Sequence, residues 1–250
     1  MKLAILSDIH ANLHALQAVW EDLEASKPDA VYCLGDLVGY GAYPNETIAF
    51  IRERQVSTVM GNYDDGVGFD RDDCGCLYKD AVQARLGERS LRWTRKITTQ
   101  TNKDYLKALP QQIRIEAGTP RLLLVHGSPR KINEYLYQDR PQASFERIAR
   151  QVGTEIVLFG HTHLHYKKRV SGIWFINCGS VGKPKDGDTR AGYVMLRTGI
   201  KTGIEFRRVA YDSAAAARAI RESDLPDDYA EALETGGVEP TASHIAELGQ

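Results

Sequence analysis

The segment Lys2-Leu3-Ala4-Ile5-Leu6-Ser7-Asp8-Ile9-His10 decides the fold. Residues 2–6 read as a strand that hands over at once to a polar turn carrying a carboxylate and an imidazole. From Asn12 the periodicity changes. Leu13, Leu16, Val19, Trp20 and Leu23 recur at helical spacing on one face, and Pro28 stops the pattern. The unit then repeats: Ala30-Val31-Tyr32-Cys33-Leu34 is a second strand, a Gly-rich turn follows, and a helix is expected over 45–54. A third strand is expected over 56–60. Strand, turn and helix alternating at this interval predict a layered α/β sheet with crossovers.

Residues 79–107 are helix-like and basic, closed by Leu109-Pro110. Strands are expected over 112–116, 121–125, 155–159, 173–177, 192–197 and 203–209. The last four are rich in β-branched and aromatic residues with short turns, so part of the second half is expected to be antiparallel. A helix over 214–222 closes the body. The chain divides into a domain over 1–225 and an acidic tail over 226–250, read as a peripheral helix plus disorder.

Composition narrows the function classes. The 250 residues are 42% hydrophobic and 26% charged, which excludes a disordered or fibrous chain. The net charge of −1 hides an asymmetry. Residues 222–250 hold eight of the 33 acidic residues and none of the 32 basic ones, leaving the rest at +7. A phosphate-bearing partner suits that field, whereas the near-neutral whole argues against a stable nucleic-acid complex. The N-terminal apolar run is too short for a signal-peptide core, and no run approaches the ~18 apolar residues of a membrane span. A cytoplasmic location without membrane association is expected, and a homo-oligomer is compatible with the sequence. Cys33 and Cys178 sit in strand-like runs as small hydrophobes. Cys74 and Cys76 form one isolated C-x-C without a second pair at zinc-site spacing, read as structural or incidental.

Metal-capable residues fall where strands end. Asp8-x-His10 follows the first strand, Gly35-Asp36 the second and Gly61-Asn62 the third. His126-Gly127 closes the strand at 122–125, and Gly160-His161-Thr162-His163 the one at 156–159. In α/β sheets, loops converge at the carboxyl ends of strands. Two Asp, one Asn and four His exceed a single tetrahedral site and match two divalent ions sharing a carboxylate. Such ion pairs serve in-line displacement at phosphorus.

These five ordered blocks, Asp8-Ile9-His10, Gly35-Asp36, Gly61-Asn62-Tyr63-Asp64, His126 and Gly160-His161-Thr162-His163, resemble the calcineurin-like metallophosphoesterase superfamily. The loops His126-Gly127-Ser128-Pro129 and Asn177-Cys178-Gly179-Ser180-Val181-Gly182 look most like its compact prokaryotic phosphodiesterase branch. The resemblance implies a four-layer αββα sandwich with two mixed β-sheets and flanking helices. It also implies two divalent ions drawn from Mn, Fe, Zn, Ni or Co. Asp8, His10, Asp36 and His163 would hold one, and Asp36, Asn62, His126 and His161 the other, with Asp36 bridging. A hydroxide activated between the ions is then expected to attack phosphorus in line, with Asp36, Asn62, His126 and Asp64 forming the catalytic set. Asp64 is read as orienting its neighbours.

One position departs from the pattern. Many family members carry a His, thought to protonate the leaving group, where this chain has Tyr63. A phenol with a pKa near ~10 is a poor acid at neutral pH. Phosphodiesters and nucleotide-type substrates, whose leaving groups need less help, are therefore expected. A phosphomonoesterase or protein phosphatase is the rival within chemistry, and a non-catalytic interaction module on the same fold is the rival outside it. Outside the blocks, His14 and His165 are read as surface residues, and His244 belongs to the tail. Asp64, Asp65, Asp70, Asp72 and Asp73 are read as part of a solvated loop. Arg130, Lys131, Lys183 and Lys185 follow motif loops and are candidates for a phosphate contact. The aromatic run Asn133-Glu134-Tyr135-Leu136-Tyr137 is read first as packing and second as a nucleobase platform.

Overall fold

The computed structural model describes residues 1–116, 120–199 and 201–237. Its first sheet is built from β1 (Lys2–Leu6), β2 (Ala30–Cys33), β3 (Ser57–Thr58), β9 (Ala191–Arg197) and β10 (Gly203–Val209), in the order β10-β9-β1-β2-β3. The strands β1, β2 and β3 run parallel, and β9 and β10 add antiparallel. The second sheet holds β4 (Ile113–Ile115), β5 (Leu122–Leu124), β6 (Ile156–Phe159), β7 (His165–Val170) and β8 (Ile173–Cys178), in the order β4-β5-β6-β8-β7. Here β5, β6 and β8 are parallel, with β4 and β7 antiparallel at the edges.

Strand alternation explains why the sheets pack face to face. Successive side chains of a strand point to opposite faces. Leu3 and Ile5 of β1 therefore meet Leu122, Leu124, Ile156 and Leu158 in a core between the sheets, joined by Val194 and Leu196. Their neighbours Ala4 and Leu6 turn outward onto α1 (Leu13–Ser26) through Leu16 and Val19. On the far side, Leu123, Val157 and Phe175 meet Phe145, Ile148 and Val152 of α6 (Gln142–Val152). Helix, sheet, sheet and helix stack in four layers.

The helix α1 starts where its sequence says it should, with the Asn12 side chain accepting from the Ala15 amide at 3.1 Å. Next come α2 (Pro44–Glu53), α3 (Asn62–Gly68), α4 (Ala81–Ile97) and α5 (Gln100–Lys107). The basic segment over 79–107 is thus two helices, because Thr98 and Thr99 are extended and the Thr99 hydroxyl caps α5. Four elements depart from the sequence expectation. The third strand contracts to Ser57–Thr58, helices occupy 62–68 and 142–152, and β7 forms an additional edge strand. α7 (Ser213–Arg221) packs against α8 (Asp228–Thr235), with Tyr229, Ala230 and Leu233 buried. The part of the expected acidic tail beyond residue 237, including His244, lies outside the described residues.

Candidate metal centre

All seven predicted ligands converge at the carboxyl ends of the parallel strands, and each is at most 3% exposed. Asp8 and His10 leave β1, Asp36 leaves β2, and Asn62 opens α3 after β3. His126 follows β5, and His161 and His163 follow β6. Asp8, His10, Asp36, His161 and His163 sit at positive φ between 50° and 65°. That backbone is costly for a side-chain-bearing residue and turns each strand end sharply toward the centre. Two glycines are dictated by close approach: a Cβ on Gly61 would overlap the Asp36 carboxylate, and one on Gly160 would overlap the Asp8 carboxylate.

The donors fall into two clusters: Asp8, His10 and His163, and Asp36, His126 and His161. His163 Nε2 lies 3.2 Å from Asp8 Oδ1 and 3.2 Å from His10 Nε2. In the second cluster His126 Nε2 lies 3.3 Å from Asp36 Oδ2 and 2.9 Å from Asn62 Oδ1. The same Asp36 oxygen is 3.6 Å from His10 Nε2, so it faces both clusters. The other oxygen, Oδ1, accepts from the Tyr63 amide at 2.8 Å.

The imidazoles are oriented from behind. Nδ1 of His10 meets the Val38 carbonyl at 3.0 Å, that of His126 the Leu34 carbonyl at 2.8 Å, and that of His163 the Lys183 carbonyl at 2.5 Å. Each carbonyl requires an Nδ1–H, so neutral His10 and His163 aim the Nε2 lone pair inward, as His126 does once its second proton is lost. Two inward lone pairs 3.2 Å apart repel unless a proton or a cation lies between them. Asp8 Oδ1 and His161 Nε2 are buried without any hydrogen-bond partner. Orphaned donors and acceptors of this kind call for an occupant. The donor set of imidazoles and carboxylates suits divalent transition ions.

Electrostatics agree. Burial, followed by His163, pushes the His10 pKa down. Burial, followed by His126, does the same for His161, and burial, followed by Lys185, for His163. All three favour the neutral, ligating form. His126 behaves oppositely: burial opposes its charge, yet the Asp36 carboxylate prevails and its pKa is raised to about 10. For Asp8, burial is outweighed by His163 and its neighbours, which hold the carboxylate ionised. Burial, with Asp36 beside it, pushes Asp64 up to about 7.

Asp64 belongs to neither donor cluster. It accepts from the amides of Asp36, Leu37 and Gly61 at 2.8, 2.9 and 2.9 Å, tying the second and third ligand loops together. Tyr63 packs its ring against His10 and Tyr40, and its buried hydroxyl has no hydrogen-bond partner. Burial raises that phenol well above its ordinary range.

Other sequence expectations sort clearly. His165 is half-buried, not a surface residue: Nε2 meets the Cys178 carbonyl at 2.7 Å and the ring stacks on Phe206, away from the ligands. His14 is also half-buried, beside Tyr43, and lines a crevice that reaches His10. Arg130 pairs with Glu134, and Lys183 Nζ lies over the Tyr40 ring. Tyr135 and Tyr137 are buried, with Tyr135 against His161, so that run is packing. Asp70 and Asp72 are exposed and pair with Lys103 and Arg95.

Sequence reasoning passed over the braces. Asn177 donates to the Gly160 carbonyl and the Thr162 hydroxyl at 2.8 Å each, and Ser180 donates to the Asp8 carbonyl at 2.7 Å. The Asn62 amide nitrogen donates to the Cys74 carbonyl at 3.0 Å and the Cys76 sulfur at 3.2 Å. The motif over 177–182 and the C-x-C were visible in the sequence. Their targets, separated by up to 172 residues, were not.

A fold with two facing mixed sheets and buried clusters of carboxylate and imidazole at strand ends defines a metallophosphoesterase. The calcineurin-like phosphoesterase superfamily domain matches residues 1–200, and the chain belongs to that family. Membership implies a metal-dependent phosphoester hydrolase. The chain is 32% identical to uncharacterized protein MJ0912 of Methanocaldococcus jannaschii, covering 94% of this chain and 98% of that one. Among solved structures it is similar to a metallophosphoesterase from Sphaerobacter thermophilus, 32% identical with a TM-score of 0.76, covering 94% and 99% of the two chains. The hypothetical protein PH1004 from Pyrococcus horikoshii shares the fold at 23% identity and a TM-score of 0.81, covering 95% and 99%. No helix among the described residues is long and apolar enough to cross a membrane.

Proposed function

We propose that the protein is a two-metal phosphoesterase acting on phosphodiester or nucleotide-type substrates. Asp8, His10, Asp36 and His163 would hold one divalent ion, and Asp36, Asn62, His126 and His161 the second. When bound, the ions supply an activated water nucleophile and neutralise charge on the phosphoryl oxygens. The observation that carries the reading is the placement of Asp36 Oδ2 between His10 and His126, at 3.6 and 3.3 Å. Only a carboxylate oxygen facing both clusters serves as a bridge.

The chain's own residues account for the rest. The carbonyls of Leu34, Val38 and Lys183 hold three imidazoles in one tautomer, and Asp64 fixes the loops carrying Asp36 and Asn62. Preference for diesters is supported by Tyr63. Its hydroxyl is buried and its proton tightly held, so it is no match for an alkoxide leaving group. We assign the catalytic domain to residues 1–225, the acidic tail to 226–250 and the location to the cytoplasm. Mn, Fe, Zn, Ni and Co all suit the donors, and no stable nucleic-acid complex is expected.

The test is a comparison of an aryl phosphodiester with the corresponding aryl phosphomonoester, using protein loaded with Mn²⁺ or Ni²⁺. Faster hydrolysis of the diester is expected. A clear monoester preference refutes the substrate assignment, and no turnover of either ester or of a nucleotide panel refutes catalysis.

A further inference from the structure

The C-x-C turn lies against the proposed second ion site rather than apart from it. Cys74 Sγ and Cys76 Sγ are 2.9 Å apart, with Gly75 between them at φ +68°, a conformation suited to glycine. The turn is pinned on three sides. Asp73 accepts from the Gly75 amide at 2.7 Å, Asn133 donates to the Gly75 carbonyl at 2.8 Å, and the Leu77 amide donates to the Tyr135 hydroxyl at 3.3 Å. Asn133 and Tyr135 belong to the segment that follows His126, so the turn is fixed relative to that ligand.

From this position the turn grips Asn62. Both protons of its amide nitrogen are used, one on the Cys74 carbonyl and one on the Cys76 sulfur. That settles which end of the side chain faces His126: Oδ1, at 2.9 Å from Nε2. Asn62 is 2% exposed, so no solvent replaces a lost partner. Cys76 is half-buried, whereas Cys33 and Cys178 are fully buried in the sheets.

We propose that Cys76 is a positioning residue for the metal ligand Asn62, and that Cys74 and Cys76 form a reversible oxidation site that releases it. The inference rests on the two-ion reading above. The oxidant is a hydroperoxide. One thiolate attacks the peroxide oxygen, the O–O bond breaks, and a sulfenic acid forms with release of water or an alcohol. The second thiol then displaces water from that sulfur. The two thiols lose two electrons and two protons, and the peroxide is reduced. Bond formation draws the sulfurs from 2.9 Å to about 2.05 Å, and a sulfur so bonded is a poorer acceptor for the Asn62 amide. A linkage across one intervening residue closes a tight, strained ring, which places it among the readily reduced disulfides. A dithiol restores the thiols and the grip.

The test uses the full-length chain loaded with zinc, which has no redox chemistry of its own. Hydrogen peroxide is added, and the linkage is read by peptide mass mapping and bound zinc by elemental analysis. Expected is a Cys74–Cys76 bond, with bound zinc falling from two equivalents toward one and both effects reversed by dithiothreitol. Cys76→Ser keeps an acceptor for Asn62 and resists peroxide. Cys76→Ala weakens the second zinc by about 10-fold, the lower end of what loss of a ligand's supporting partner costs. The proposal is overturned if peroxide oxidises other residues without linking Cys74 to Cys76, or if the linkage forms and both ions stay. Cys76→Ala binding zinc as tightly as the parent overturns the positioning role. Untreated protein binding fewer than two zinc ions defeats the two-ion reading itself, while the linkage, read by mass, stands or falls separately.

Discussion

Metal binding at the proposed second site would expel a proton, and the structure says which one. The Asp36 carboxylate raises His126 to about 10, against the effect of burial. At pH 7 the metal-free imidazole is therefore protonated in all but about one molecule in 10³. A cation at Nε2 requires the neutral ring. The apparent affinity at this site should thus rise about tenfold per pH unit from pH 7 toward pH 10. His10, His161 and His163 contribute nothing to that slope, because burial already keeps them neutral. Calorimetric titration of zinc at pH 7.5, in two buffers of different ionisation enthalpy, measures the proton count directly. About one proton released per second-site ion is expected. In Asp36→Asn the carboxylate that holds the proton is gone, burial prevails, and the release should disappear. Identical heats in both buffers for the parent protein would refute the reasoning.

Other predictions follow from the same geometry. Tyr63→Phe removes a hydroxyl that has no partner, so diester turnover should stay within about threefold of the parent; a hundredfold loss would make Tyr63 an acid after all. Gly61→Ala drives a methyl into the Asp36 carboxylate, and metal retention measured after gel filtration should drop well below the parent's; full retention would contradict the bridging geometry. Leu158→Ala empties the core between the sheets and should cost about 2–5 kcal/mol in urea unfolding. The metal-free fold should also lose stability in acid. His10, His161 and His163 are held below their ordinary 6.5, so the unfolded chain gains protons there that the fold does not. The urea midpoint should fall from pH 7 to pH 5, and a flat profile would contradict the buried neutral state.

The first sheet was legible because its strands are short apolar runs bounded by polar turns, and β1 announces itself within ten residues. The candidate ligands were legible for a related reason: each stands at a strand end beside a small residue or turn, so local pattern suffices to single it out. What escaped depended on partners remote in sequence. α3 begins at a ligand, and its seven residues include two glycines, which hide helical periodicity. α6 has a narrow apolar face of Phe145, Ile148, Ala149 and Val152, set among charged residues and preceded by Pro141. The half-burial of His165 needs Phe206 from β10, across the two sheets. The grip of Cys76 on Asn62 spans fourteen residues of irregular chain with no periodicity to read.

One carboxylate serving two ions is the centre of the proposed site, and metal stoichiometry tests it most directly. Purified chain saturated with zinc and freed of excess should retain two equivalents by elemental analysis, and Asp36→Asn should retain at most one. A single equivalent in the parent, or two in Asp36→Asn with unchanged affinity, would contradict it.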